Sequence, residues 1–125
     1  MKRVAVMGLG NFGTALACNW VGAGLDVRGW TVEQEVFESI NSAGVNKKYL
    51  SDVSLEGMRV SMDIAETMAE AEIIVLALPS AVILNVVDDI LPYLTNKQIL
   101  LDLAKGLAPG DQMISDVIES KLDSA

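Results

Sequence analysis

The chain has 125 residues, of which 51% are hydrophobic, and it carries a formal net charge of −8. This length and composition fit a single domain with a full hydrophobic core. The acidic charge opposes binding to nucleic acid and to anionic membranes, because both carry negative charge themselves. Histidine is absent and cysteine occurs once, so we expect no metal site, no serine–histidine triad and no internal disulfide.

The N-terminus is the one stretch that resembles a targeting signal. Lys2 and Arg3 precede an apolar stretch that ends at Cys18, but three glycines and Asn11 interrupt it. No run in the chain reaches the ~20 apolar residues that a membrane-spanning helix needs. We therefore expect a cytoplasmic protein in a reducing compartment.

The first predicted element is a short strand at residues 4–7, rich in valine. It leads directly into the turn Gly8-x-Gly10-x-x-Gly13, which is followed by small and apolar residues at helical spacing. The pattern predicts a first helix at about residues 11–23. A strand, a tight glycine turn and a helix thus open the chain.

Strands and helices alternate from there to the end of the chain. Further strands are predicted at 26–30, 58–62, 73–78 and 98–102, and further helices at 33–43, after Asp63, around 83–94 and at 111–122. The apolar run at 73–78 lacks alternation, which is typical of a central parallel strand. Residues 44–57 form the one long irregular stretch, whose length indicates a functional or mobile segment.

Two pairs of residues have the spacing of helix-capping pairs. Thr31 with Gln34 predicts a cap for the second helix, and Asp63 with Glu66 predicts one for the third. In each pair the first side chain would accept a hydrogen bond from a free N–H group of the helix. The two pairs therefore place the starts of both helices.

This alternation predicts an α/β fold, with a doubly wound parallel sheet of the Rossmann type in a single three-layer domain at residues 1–125. Right-handed crossovers give the strand order 3-2-1-4-5. A ligand would bind beyond the carboxyl ends of the strands, between the first and fourth strands. The glycine turn, Leu78-Pro79-Ser80 and Lys105-Gly106 are expected to meet there.

The three glycines of the turn have separate predicted tasks. Gly8 can adopt a backbone angle that a Cβ disfavours. Gly10 lets the main chain approach a pyrophosphate, and Gly13 lets the helix pack closely on the strand. The N–H groups of the first helical turn would then bind phosphate, supported by the helix dipole. The flanking strand and helix favour dinucleotide binding over a purely structural turn.

The end of the second strand is the predicted site of the adenosine ribose. Thr31 is a candidate for a ribose hydroxyl, although its own hydroxyl could instead cap the next helix. No acid ends the strand itself, since Glu33 and Glu35 come slightly later. Arg28 lies inside the strand rather than after it, so no arginine is placed to pair with a 2′-phosphate. NAD is therefore favoured over NADP, but NADP stays an open alternative.

Two further candidates carry charge or an aromatic ring. Lys105 follows the fifth strand at the edge where a nicotinamide would lie, and a cation there could polarise a carbonyl or hold a phosphate. The alternative is a solvated lysine in a turn. Tyr49 lies with Lys47 and Lys48 in the long loop, which either folds over the cofactor or is a surface excursion.

Taken together, these motifs resemble the N-terminal domain of NAD(P)-dependent sn-glycerol-3-phosphate dehydrogenase. The resemblance covers nearly the whole chain. The glycine motif is generic, but its combination with the other motifs is fairly specific. The motifs occur in this order: Gly8-Leu9-Gly10-Asn11-Phe12-Gly13, Trp30, Asn46-Lys47-Lys48-Tyr49-Leu50, Leu78-Pro79-Ser80 and Lys105-Gly106-Leu107.

The resemblance implies reversible hydride transfer between NAD(P)H and dihydroxyacetone phosphate. It implies that Asn11 and Phe12 touch the pyrophosphate and the adjoining ribose, and that Tyr49 approaches the cofactor from the loop. It further implies that Pro79 and Ser80 line the nicotinamide side.

The resemblance also assigns the charged positions. Lys105, the catalytic candidate, would contact both cofactor and substrate. Where many relatives have an arginine two residues past the strand-ending tryptophan, this chain has Val32. Recognition of a 2′-phosphate is therefore in doubt, in agreement with the preference for NAD.

The chain departs from the family in length. The second, helical domain of the family, which supplies the lysine for proton transfer and most of the substrate phosphate site, is expected to be absent. We therefore expect the chain to bind a dinucleotide but to turn over little substrate alone. The surface left uncovered predicts a homodimer or a partner chain carrying the missing domain.

Three alternatives remain open. The chain could be a stand-alone NAD(H)-binding regulatory module without catalysis. It could belong to another oxidoreductase with a similar N-terminal half, such as one resembling ketopantoate reductase or 6-phosphogluconate dehydrogenase. The third alternative is an S-adenosylmethionine-dependent methyltransferase, which also places glycine after its first strand.

Overall fold

The structure is a computed structural model that describes residues 2–95, 97–103, 107–108, 112–113, 118–120 and 122. Its centre is a five-stranded parallel sheet with the order β3-β2-β1-β4-β5. This order confirms the prediction. The strands are β1 (Arg3–Met7), β2 (Asp26–Trp30), β3 (Arg59–Ser61), β4 (Ile73–Leu76) and β5 (Ile99–Asp102).

Helices cover both faces of the sheet, and two hydrophobic cores result. The helices are α1 (Asn11–Gly22), α2 (Gln34–Ala43), α3 (Ile64–Met68) and α4 (Ser80–Ile90), which a 3₁₀ turn at Leu91–Tyr93 extends. Successive side chains of a strand point to opposite faces. Val4 and Val6 of β1 accordingly pack in the core with α1 and α2, whereas Ala5 and Met7 pack in the core with α3 and α4. The three-layer prediction is confirmed.

One predicted strand boundary needs correction. The strand predicted at 73–78 ends at Leu76, and Ala77 and Leu78 lie against Gly8 instead of continuing the strand. The N–H of Ala77 still donates to the carbonyl oxygen of Met7 at 3.0 Å. The sheet bonding thus continues one residue past the strand.

The predicted caps differ in outcome. Asp63 accepts a hydrogen bond from the N–H of Glu66 at 3.2 Å, as predicted for α3. The Thr31 cap is wrong, because α2 begins at Gln34 and Glu33 is its N-cap residue. The Thr31 hydroxyl instead accepts from the N–H of Glu33 at 3.1 Å, which closes a turn before the helix.

The helix predicted at 111–122 is wrong in its first part. Gln112–Met113 forms strand β7, which pairs antiparallel with β6 at Leu107–Ala108. The pairing of these two strands therefore takes the place of the first turn of the predicted helix. The apolar stripe of that helix is weak, and the predicted Pro109-Gly110 turn lies between the two strands in the sequence. Residues 118–120 are helical, and Ile118 packs in the core with α3 and α4.

The long segment 44–57 is held to the body of the protein by Asn46. This side chain is fully buried, and its Nδ2 donates to the carbonyl oxygen of Leu9 at 2.8 Å and to the hydroxyl of Thr14 at 2.9 Å. Its Oδ1 accepts from the N–H of Tyr49 at 3.3 Å. One amide therefore joins the loop, the glycine turn and the first helix.

We expect Asn46→Ala to lower the free energy of unfolding by about 3 kcal/mol, because it leaves buried polar groups of Leu9 and Thr14 without this donor. Urea denaturation followed by circular dichroism measures the change. Asn41→Ala, at an exposed position of α2, is the matched control and should change stability by less than ~0.5 kcal/mol. Equal effects of the two substitutions would contradict a structural role for the buried amide.

Candidate functional site

In the glycine turn, the main chain at Gly8 packs against Ala77, and the main chain at Gly13 packs against Gly8. Gly8 has φ of +112°, and a Cβ on it would lie 2.5 Å from the carbonyl oxygen of Ala77. A Cβ on Gly13 would lie 2.0 Å from the carbonyl oxygen of Gly8. Real Cβ atoms do not approach this closely, so both positions require glycine to bring α1 against the ends of β1 and β4.

Gly10 differs from the other two glycines. A Cβ built on it meets no protein atom within 4 Å, so its main chain borders open space. It is the N-cap residue of α1, and no side chain caps this helix or adds an acidic group to its first turn. The first N–H groups of a helix have no partner within the helix and form its positive end. The turn thus presents uncapped amide groups beside an open surface.

Two adjoining cavities lie along the carboxyl ends of β1 and β4, and together they form what we term the switch-point groove. One has a volume of about 310 Å³ and lies beside the end of β2; the other, of about 270 Å³, lies beside the start of α1. They share Gly10 and the segment Ala77-Leu78-Pro79. An extended ligand could therefore span both cavities across Gly10.

The cavity beside β2 combines apolar walls with a few polar groups. Trp30 forms part of the wall, and its indole N–H donates to the carbonyl oxygen of Met62 at 3.2 Å. Thr31 is buried, and its hydroxyl is engaged with the N–H of Glu33. Glu33 itself borders the cavity, as does Tyr49 from the long loop.

Glu33, Lys48 and Tyr49 form a hydrogen-bonded cluster at this end of the groove. The Tyr49 hydroxyl donates to Glu33 Oε2 at 2.7 Å, and Lys48 Nζ donates to Glu33 Oε1. Lys48 also donates to Glu35 Oε1 at 2.9 Å and lies 5.4 Å from the centre of the Tyr49 ring. The cluster connects the long loop to the start of α2.

Hydrogen bonds within the cluster favour an ionised Glu33 and a protonated Lys48. Hydrogen bonds from Lys48 and Tyr49 lower the pKa of the Glu33 carboxyl. The carboxylates of Glu33 and Glu35 raise the pKa of the Lys48 ammonium, and the hydrogen bond to Glu33 raises the pKa of the Tyr49 hydroxyl. Near neutral pH this end of the groove therefore carries an ionised carboxylate, held by a protonated amine and a neutral phenol.

The structure brings most of the sequence-predicted residues to the groove. Those that line the cavity beside β2 are Gly8, Gly10, Thr31, Tyr49 and Pro79, and those that line the cavity beside α1 are Gly10, Asn11, Phe12, Gly13 and Pro79. Ser80 is the first residue of α4, but its side chain lies outside the described part of the structure. Lys105 also lies outside the described residues.

Sequence reasoning missed two contributors to the site. Asn46 was part of the family motif, but its contact with the glycine turn depends on a fold across 37 positions of sequence. Glu33 stands slightly beyond the strand in the sequence, and the structure places it at the cavity wall, where Lys48 and Tyr49 bind it. The adjacent Lys48-Tyr49 pair was the one available signal for this cluster.

Within the part of the chain that the structure describes, no helix has the length and apolar character needed to cross a membrane.

Comparison with known proteins connects this geometry to a family. The family model for the N-terminus of NAD-dependent glycerol-3-phosphate dehydrogenase matches residues 3–125. The glycerol-3-phosphate dehydrogenase (NAD(P)+) of Bacillus subtilis is 32% identical over 126 residues, covering 99% of this chain and 36% of the relative. The enzyme of the same name from Acinetobacter baumannii strain SDF is 36% identical over 122 residues, covering 96% of this chain and 34% of the relative.

A solved structure agrees with these relatives. The crystal structure of glycerol-3-phosphate dehydrogenase from Coxiella burnetii superposes with a TM-score of 0.90 at 27% identity, covering 97% of this chain and 38% of that one. The chain therefore spans little more than a third of the length of the proteins it matches. It belongs to the NAD-dependent glycerol-3-phosphate dehydrogenase family and corresponds to the N-terminal part of its members.

Proposed function

We propose that this chain is the cofactor-binding half of an enzyme that transfers hydride between NAD(P)H and dihydroxyacetone phosphate, with sn-glycerol 3-phosphate as the reduced product. The observation that carries the proposal is the open main chain at Gly10, at the uncapped N-terminus of α1. Helix N-termini of this kind bind phosphate through amide hydrogens and the helix dipole. The names of the matched relatives supply the substrate part of the proposal.

The groove suggests how a dinucleotide would lie. Its pyrophosphate would sit at Gly10, with Asn11, Phe12 and Gly13 supplying main-chain N–H groups from the first turn of α1. The adenosine would occupy the cavity beside β2, and the nicotinamide would extend past Pro79 into the cavity beside α1. This placement follows the rule that ligands of doubly wound sheets lie across the point where strand order reverses, and the ribose site expected at the end of β2 sets the direction.

Two residues complete the proposed nicotinamide side. Ser80 begins α4 next to Pro79, so we assign it to the lining of this side. Lys105 follows β5 by three residues, and we assign it the role of a cation that contacts cofactor and substrate. A bound nicotinamide supplies or accepts the hydride, and the protein groups bind and orient the reactants.

Catalysis requires more than this groove. Hydride transfer to a carbonyl needs an acid placed against the substrate oxygen. Lys105 is assigned only to contacts with cofactor and substrate, and we assign no residue of this chain to that task. The proposed role of the isolated chain is therefore cofactor binding, and a regulatory module that binds NAD(H) without catalysis remains the second candidate. A partner chain or a further domain would supply the rest of the substrate site.

We expect Gly10→Ala to weaken NADH binding about tenfold or more without loss of stability, because the added methyl group meets no protein atom but enters the space proposed for the pyrophosphate. Fluorescence titration with NADH measures the affinity, and urea denaturation measures the stability.

Gly22→Ala is the matched control, since it also adds a methyl group in open space, at the other end of α1. Its NADH affinity should equal that of the unmodified chain. Unchanged NADH binding by Gly10→Ala would contradict the proposed position of the pyrophosphate.

The isolated chain should reduce dihydroxyacetone phosphate at less than about 1% of the rate of a full-length relative. On our proposal it lacks the acid for the proton transfer, and general acid catalysis contributes about 10²-fold or more to the rate. The measurement is NADH oxidation followed by absorbance, with the full-length Bacillus subtilis enzyme as the positive control. A rate comparable with that of the full-length enzyme would refute the proposal that the isolated chain binds the cofactor but lacks part of the catalytic site.

We also propose that the isolated chain self-associates in the cytoplasm. Ile99 and Leu101 of β5 point to one face of the strand and are 61% and 41% exposed. Apolar surface of this kind favours association. Light scattering should give a dimer or larger species, and Ile99→Lys should shift it toward monomer. A monomer for the unmodified chain at high concentration is the result that would rule the proposal out.

A further inference from the structure

Glu33 is an acid at the ribose end of the groove, three residues beyond the end of β2. In many doubly wound dinucleotide-binding domains, a carboxylate near this strand end binds the adenosine ribose. No acid ends β2 itself, where Trp30 and Thr31 stand. The turn closed by the Thr31 hydroxyl and the Glu33 N–H brings the later carboxylate back to the cavity wall.

The Glu33 carboxylate is held in place but retains acceptor capacity. Tyr49 binds one of its oxygens and Lys48 binds the other. Each carboxylate oxygen offers about two acceptor positions. A carboxylate with one donor on each oxygen can therefore accept a further hydrogen bond from a ribose hydroxyl without losing its present partners.

The charge of the cluster opposes a phosphate group. Glu33 and Glu35 contribute two negative charges, and Lys48, which donates to both, contributes one positive charge. The cluster thus has a net charge of −1, and two of the three N–H donors of Lys48 are directed at its carboxylates. Of the two carboxylates, Glu33 is the one that lines the cavity. A 2′-phosphate carries up to two further negative charges. Its approach to Glu33 would bring like charges together in a partly enclosed cavity.

We infer that Glu33 is the residue that determines cofactor specificity: it accepts a hydrogen bond from the free 2′-hydroxyl of NAD(H) and repels the 2′-phosphate of NADP(H). This inference rests on the proposed function, since it assigns the adenosine to the cavity beside β2. Lys48 and Tyr49 are positioning residues that fix the carboxylate. Specificity then arises as much from repulsion of the wrong cofactor as from attraction of the right one.

The experiment compares dissociation constants for NADH and NADPH, measured by fluorescence titration of the unmodified chain, Glu33→Gln and Glu35→Gln. The unmodified chain should bind NADH at least about tenfold more tightly than NADPH. Glu33→Gln keeps the side-chain shape but removes the charge, so NADPH should bind more tightly and the preference should fall about tenfold.

Glu35→Gln is the matched control, because Glu35 also binds Lys48 but does not line the cavity. It should leave the NADPH-to-NADH ratio within about twofold of the unmodified chain. Similar shifts from both variants would overturn the inference, since general charge and not Glu33 would then set the preference. An unchanged ratio in Glu33→Gln would overturn it as well.

The unmodified chain gives a test that no folding defect can obscure. If it binds NADH and NADPH equally, or prefers NADPH, the inference about Glu33 fails while the proposed function stands. If it binds neither cofactor, both fail together. Binding of NADH with a preference that Glu33→Gln abolishes and Glu35→Gln retains supports both.

Discussion

The contact between Gly13 and the carbonyl oxygen of Gly8 is the constraint on which the site depends. A Cβ at Gly13 would lie 2.0 Å from that oxygen, so the first turn of α1 is closer to the end of β1 than a residue with a side chain would permit. This closeness directs the uncapped start of the helix to the point where strand order reverses. The groove, the open surface at Gly10 and the proposed phosphate position all follow from it.

The long loop makes this arrangement part of the folded core. Asn46 binds the Leu9 carbonyl oxygen inside the glycine turn and the Thr14 hydroxyl one turn into α1. Its neighbour Tyr49 reaches the other end of the groove and binds Glu33. The same loop therefore supports the turn and positions a carboxylate at the cavity. The residue that supports the turn and the residue that positions the carboxylate are therefore close in sequence.

Parts of the structure that depend on local pattern could be predicted from the sequence. The glycine spacing, the apolar run of β4 and the alternation of strands and helices give the strand order, because right-handed crossovers leave few other topologies. The Asp63 cap is also local, since donor and acceptor lie three residues apart. Most of the predicted site residues meet in the groove for the same reason: they stand at strand ends and helix starts.

Features that depend on tertiary partners could not be predicted in this way. The Thr31–Gln34 spacing matches a cap, but α2 begins later and the hydroxyl binds Glu33 instead. The pairing of β6 with β7 overrides a weak helical stripe. The groups to which Asn46 donates lie 32 and 37 positions away, and the side chains that donate to Glu33 lie 15 and 16 positions away, which no local periodicity encodes.

The central claim is that the main-chain amides at the start of α1 bind the pyrophosphate of a nicotinamide dinucleotide. Two-dimensional ¹H–¹⁵N NMR of the labelled chain during titration with NAD⁺ tests it most directly. The amide signals of Asn11, Phe12 and Gly13 should move downfield and saturate, because their N–H groups gain a charged acceptor. Saturating NAD⁺ that leaves these three signals in place, or moves only signals remote from the groove, would contradict the claim.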